Sequence, residues 1–144
     1  MSKQSWPRSS WAMLAVGLVL GASLQWVRAA PVQPARVFEI RTYHTFPGRL
    51  DALHKRFREH TMEIFQRHGM ANVAYWTPQD SPDKDNTLIY VISHASREAA
   101  KKNWAEFGAD PEWKTVSAAS EADGKIVEKV ESVFVDATDY SPLK

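Results

Sequence analysis

Glu39, Arg41 and Tyr43 occupy alternate positions of the run FEIRTYHTFPGR (38–49). Positions two apart share a face of a strand, so a carboxylate, a guanidinium and a phenol would stand side by side. Such a set can do chemistry: Arg41 can hold an anionic group, Tyr43 can supply a flat wall, and Glu39 can serve as a base. Lys129 and Glu131 repeat the alternation near the other end of the chain, and Ala74 and Trp76 share a side of a middle segment. Trp76 would be a second flat wall, and Glu131 a second candidate base. The same charges can instead form an internal Glu–Arg–Lys–Glu network that fixes an assembly and needs no ligand, because enclosed charges must be paired.

Other chemistries find little support. The chain has no cysteine, which excludes disulfides, thiolate catalysis and lipid modification of a cysteine. None of the five histidines shows H-x-H or i, i+4 metal spacing, so no metal site and no cofactor is expected. His44 and His94, at strand ends, read as surface or loop residues. There is no G-x-S-x-G elbow, and the six glycines are too scattered for a phosphate cradle. Nucleic-acid binding lacks a basic patch.

Residues 1–10 contain Lys3 and Arg8 and no acid, 11–24 form the apolar run WAMLAVGLVLGASL, and 27–30 read VRAA. A basic start, an apolar block and a small-x-small end describe a secretory signal peptide, here 1–29 with Ala29 last. The rival is an uncleaved membrane anchor, but the block is shorter than the roughly 20 residues a span needs. The expected protein is therefore exported, periplasmic or secreted, with no stable membrane span once the signal is removed. Loss of Lys3, Arg8 and Arg28 would lower Lys+Arg from 18 to 15 against 17 Asp+Glu, a formal charge of −2. The basicity of the full chain thus belongs to its leader.

The remaining sequence reads as a Pro-rich tether (30–35), one domain (36–136) and a loosely held tail (137–144). Strand patterns cover 36–44, 71–77, 87–93 and 125–135. Pro47-Gly48 opens a helix whose stripe is Leu50, Leu53, Phe57, Ile64 and Phe65, and His68-Gly69 closes it. Ser96 caps a second helix ending at Gly108, and Asp110-Pro111 restarts a third. Trp104, Phe107, Trp113 and Val116 read as a core seam along this broken unit.

The order β-α-β-β-α-β specifies an α+β, ferredoxin-like sandwich with strand order 4-1-3-2 and helices on one sheet face. The other face is left bare. With Phe38 and Ile40 under the helices, Glu39, Arg41 and Tyr43 would lie on the bare face beside Lys129 and Glu131; a slip of one residue would turn every side chain over.

FEIRTYHTFPGRLDAL, HGMANVAYWT, and WAEFGADPEW followed by Val-Glu-Ser (130–132) resemble the NIPSNAP family across about residues 36–135. The resemblance implies a dimeric α/β barrel in which two sheets pair bare face to bare face, enclosing the charged set. Similar barrels occur among cofactor-free monooxygenases, haem-binding enzymes and small-molecule-binding proteins, and the family itself has no generally accepted reaction. Two functions are thus expected: a homodimer that binds a small-molecule ligand or a partner, or a cofactor-independent oxygenase or isomerase using Glu39, Arg41 and Tyr43.

Overall fold

Alternating apolar and polar residues make β1 (Val37–Thr45), which pairs antiparallel with both β3 (Thr87–His94) and β4 (Val127–Val135); β2 (Ala71–Trp76) pairs with β3. The sheet order is β2-β3-β1-β4, as the element order requires. The computed structural model describes residues 36–144, so the expected signal and tether fall outside the described residues. Among the described residues, no helix is long and apolar enough to cross a membrane.

Helix α1 runs through Leu50–Arg56, a π-helical segment Phe57–Thr61, and Met62–Arg67. The Thr61 hydroxyl donates to the Arg56 carbonyl at 3.1 Å within this wider turn. Leu53, Phe57, Ile64 and Phe65 of the expected stripe are buried against Leu88, Tyr90 and Ile92 of β3. Leu50 packs at the margin of this core.

Helix α2 (Arg97–Ala109) begins where Ser96 Oγ accepts from Ala99 N at 3.0 Å. Asp110 breaks it from α3 (Pro111–Ser120), its Oδ1 accepting from Glu112 N and Trp113 N at 2.7 and 3.2 Å. Its other oxygen meets His68 Nε2 at 2.7 Å and Arg67 Nη2 at 3.0 Å, tying the end of α1 to the start of α3. At the opposite end, Arg49 forks onto Asp123 with contacts of 2.8 and 2.7 Å. Of the expected seam, Phe107 is buried and Trp104 and Trp113 pack against the core, while Val116 lies in a groove between α1 and α3.

The uncovered sheet face follows from register. Ile40 stands opposite Val91 and Val133, Trp76 opposite Ile89, and Ala74 opposite Val91. Lys129 and Glu131, opposite His44 and Thr42, extend this face into a polar end. At the other end residues 136–143 turn back beside Phe38, which is buried.

Gly69 closes α1 at φ +74°, and a Cβ there would stand 3.3 Å from Asn103 Nδ2. That nitrogen donates to the Gly69 carbonyl at 3.0 Å. Gly69→Ala should therefore lower stability by about 1–2 kcal/mol for the backbone alone, measured by urea denaturation. A neutral outcome would mean that the turn relaxes freely.

Candidate functional site

Burial of a carboxylate beside a sheet requires donors from several directions, and Glu39 has four. Oε1 accepts from Arg41 Nη1 and Ser132 Oγ, both at 2.6 Å. Oε2 accepts from Trp104 Nε1 at 2.7 Å and from His94 Nε2 at 3.1 Å. The donors come from β1, β4, α2 and β3, so one side chain links three strands to a helix. Asn103 lies 3.3 Å from His94 Nδ1 and donates to it, which leaves the imidazole proton on Nε2, pointing at Glu39. Arg41 also donates to the Tyr43 hydroxyl at 3.3 Å, and its guanidinium carbon stands 4.3 Å from the Trp104 ring centroid.

The face assignment made from periodicity is overturned. Glu39, Arg41 and Tyr43 stand opposite Ile92, Tyr90 and Leu88, all buried, and so point under the helices. Phe38 and Ile40 take the bare face instead. The reversal is affordable because Trp104, His94 and Ser132 supply donors where hydrocarbon was expected. Lys129, Glu131 and Trp76 do lie on the bare face, away from Glu39 and Arg41. The six residues therefore split into two groups on opposite sides of the sheet. Lys129 pairs with Glu131, whose Oε1 is 4.0 Å from His44 Nε2, and Trp76 is 53% exposed. His94, expected at the surface, is 1% exposed and belongs to the Glu39 network.

Burial pushes the Glu39 carboxyl up, but the donors His94, Ser132, Trp104 and Arg41 together outweigh it and hold the group at about 2. Burial acts to lower Arg41, while Tyr43, Tyr90 and the Glu39 partner prevail and raise it. Burial pushes the Tyr90 and Tyr75 phenols up. At neutral pH the centre is an ionised Glu–Arg pair. A carboxylate so saturated is a weak proton acceptor.

Space opens beyond Tyr43. A crevice of about 200 Å³ is lined by Tyr43, Phe57, Phe107 and Trp113, by Arg56 and Thr61 of the π-segment region, and by Glu121 and Val130. A larger groove of about 470 Å³ between α1 and α3 shares Arg56. The described residues bring no three of His, Asp and Glu together in a metal-holding cluster.

The family model for NIPSNAP matches residues 38–142. The chain belongs to the NIPSNAP family. A NIPSNAP family protein of unknown function from Agrobacterium tumefaciens is 24% identical, with a TM-score of 0.66 over 78% of this chain and 96% of the other. A NIPSNAP-like domain protein from Burkholderia xenovorans is 15% identical, with a TM-score of 0.65 over 76% of this chain and 91% of its own. SnoaB, a cofactor-independent oxygenase from Streptomyces nogalater, shares the fold at 17% identity, with a TM-score of 0.51 over 75% and 98% of the two chains. No curated protein matches the chain. In this NIPSNAP domain the Arg-Thr-Tyr and Pro-Gly-Arg residues have visible tasks: Arg41 pairs with Glu39, Tyr43 walls the crevice, and Arg49 clamps Asp123.

Spacing alone missed His94, Asn103, Ser132 and Arg56. A usable signal was Trp104, whose indole needs an acceptor when packed against a core. Because the folded Glu39 value is depressed, its stabilisation is complete above the unfolded value near 4.5 and disappears as pH falls through about 2. Stability should thus drop by about 3 kcal/mol across that window. Glu39→Gln should be less stable at neutral pH and lose much of this acid limb; equal pH profiles in chemical denaturation would refute the assignment.

Proposed function

We infer that this NIPSNAP protein is an exported homodimeric binding protein. Two domains pair through their uncovered sheet faces, and the assembly holds a small molecule or a partner in or around the resulting barrel. The observation that carries this reading is the apolar open face: Ile40, Trp76 and Val133 are 37%, 53% and 58% exposed on one side of a single sheet. Large contiguous apolar patches mark interaction surfaces, and a second copy presents the same strands for isologous contact. Export rests on the leader pattern of residues 1–29, and the near-neutral remainder suits neither nucleic acid nor a charged surface.

Binding is favoured over catalysis by the state of Glu39. A general base needs a lone pair within reach of a substrate proton and an affinity for that proton near working pH. Glu39 has its oxygens occupied and its pKa depressed to about 2. Likeness to SnoaB concerns the fold and adds no base.

Val133→Asp tests the pairing. It places a carboxylate on the exposed face without touching the helix-side core. Burying that charge unpaired costs several kcal/mol, so the dimer should weaken at least about a hundredfold while circular dichroism stays unchanged. Sedimentation or native mass spectrometry reads the result. A wild-type protein that is monomeric at micromolar concentration would overturn the reading.

A further inference from the structure

Arg56 is 5% exposed, yet its partners satisfy it poorly. Among the described residues, Nη1 alone makes its hydrogen bonds, to Glu121 Oε1 at 3.2 Å and Ser120 Oγ at 3.3 Å, and the buried Nε has no partner. A guanidinium most favourably meets a carboxylate through two parallel N–H donors. Glu121 offers a single contact from the rim, where its side chain is 31% exposed, and its Oε1 also accepts from Ile126 N at 3.4 Å. Among the described residues the cation is under-paired.

The space beside it has a definite chemistry. Arg56 and Glu121 are the charged residues on the crevice wall; four aromatic rings, Tyr43, Phe57, Phe107 and Trp113, make up much of the rest, with small hydroxyl and valine side chains between them. Phe107 and Trp113 lie with ring centroids 4.4 Å apart, Tyr43 and Phe57 6.0 Å apart, and the Arg56 guanidinium carbon is 5.3 Å from the Trp113 ring centroid. At about 200 Å³ the crevice falls below the roughly 300 Å³ at which pockets for drug-sized ligands begin. It has room for one ring. The wall is shaped by the π-helical segment beginning at Phe57, a distortion frequent at functional positions. Burial of an incompletely paired cation and a wide helical turn are independent observations, and they meet at this crevice.

We propose that the crevice among α1, α3 and β4 binds a small aromatic carboxylate, with its ring between Tyr43 and Trp113 and its carboxylate on Arg56. Glu121 then acts as an internal competitor that yields the guanidinium when the ligand enters. The proposal rests on the binding function inferred above and names the class of ligand.

The test uses benzoate as probe, with benzamide as its neutral counterpart and acetate as the carboxylate without a ring. Each is titrated into the protein while the Trp113 indole and Arg56 side-chain signals are followed by NMR. Benzoate should bind saturably and at least about tenfold more tightly than either control, the preference expected of one charge-assisted pair. Glu121→Gln, which removes the competitor from the rim, should tighten benzoate several-fold and leave benzamide unchanged. Equal binding of benzoate and benzamide would overturn the carboxylate assignment while leaving the binding function intact. Absence of any saturable change at Trp113 would overturn the crevice itself, as would a Glu121→Gln protein with unaltered benzoate affinity. Native mass of the same samples reports pairing separately, so a monomer would defeat the dimer reading without being mistaken for failure of the crevice.

Discussion

The Glu39 carboxylate is the interaction on which the remaining architecture depends. A buried anion with even one missing partner would be strongly destabilising, and here four donors arrive from four elements. Meeting that requirement fixes the relation of β1 to β3 and β4, the depth of α2 over the sheet, and the tautomer of His94. The chain continues through Asn103 to the Gly69 carbonyl at the end of α1. Hydrophobic burial alone would tolerate small slides between these layers; a saturated polar centre does not.

This division of labour separates the two sheet faces. Under the helices lie the ion pair, the stacked aromatics and the crevice at Tyr43. On the open side lie Ile40, Trp76 and Val133, with Lys129 and Glu131 at one end. The proposed ligand crevice and the proposed pairing surface thus lie on opposite faces of one sheet. Neither proposed task calls on an exposed catalytic group, which agrees with a carboxyl whose pKa, at about 2, lies far below neutral pH.

The topology was legible because local signals agreed with one another: Gly69, Ser96 and Asp110 stand at the helix boundaries that their types imply, and four strand patterns permit one antiparallel order. The orientation of β1 was not. Phe38-Glu39-Ile40-Arg41 alternates cleanly, but period two identifies two faces without saying which is covered. Apolar Ile40 was assigned inward by the usual rule, and the rule failed because the open face is itself apolar. The partners that make Glu39 tolerable inside are 55 to 93 residues away for His94, Trp104 and Ser132, so no local pattern could reveal them. The π-segment was equally silent, since Phe57, Ile64 and Phe65 keep spacings that an ordinary helix would also bury.

The most direct test of this account is the pKa of Glu39, followed through its side-chain carboxyl carbon by NMR as pH is lowered. A value near 2, with the Trp104 indole proton shifting in the same step, is the result that a saturated structural carboxylate requires. A value at or above the ordinary range near 4.5 would show that the donors do not hold the anion, and would return Glu39 to consideration as a working base.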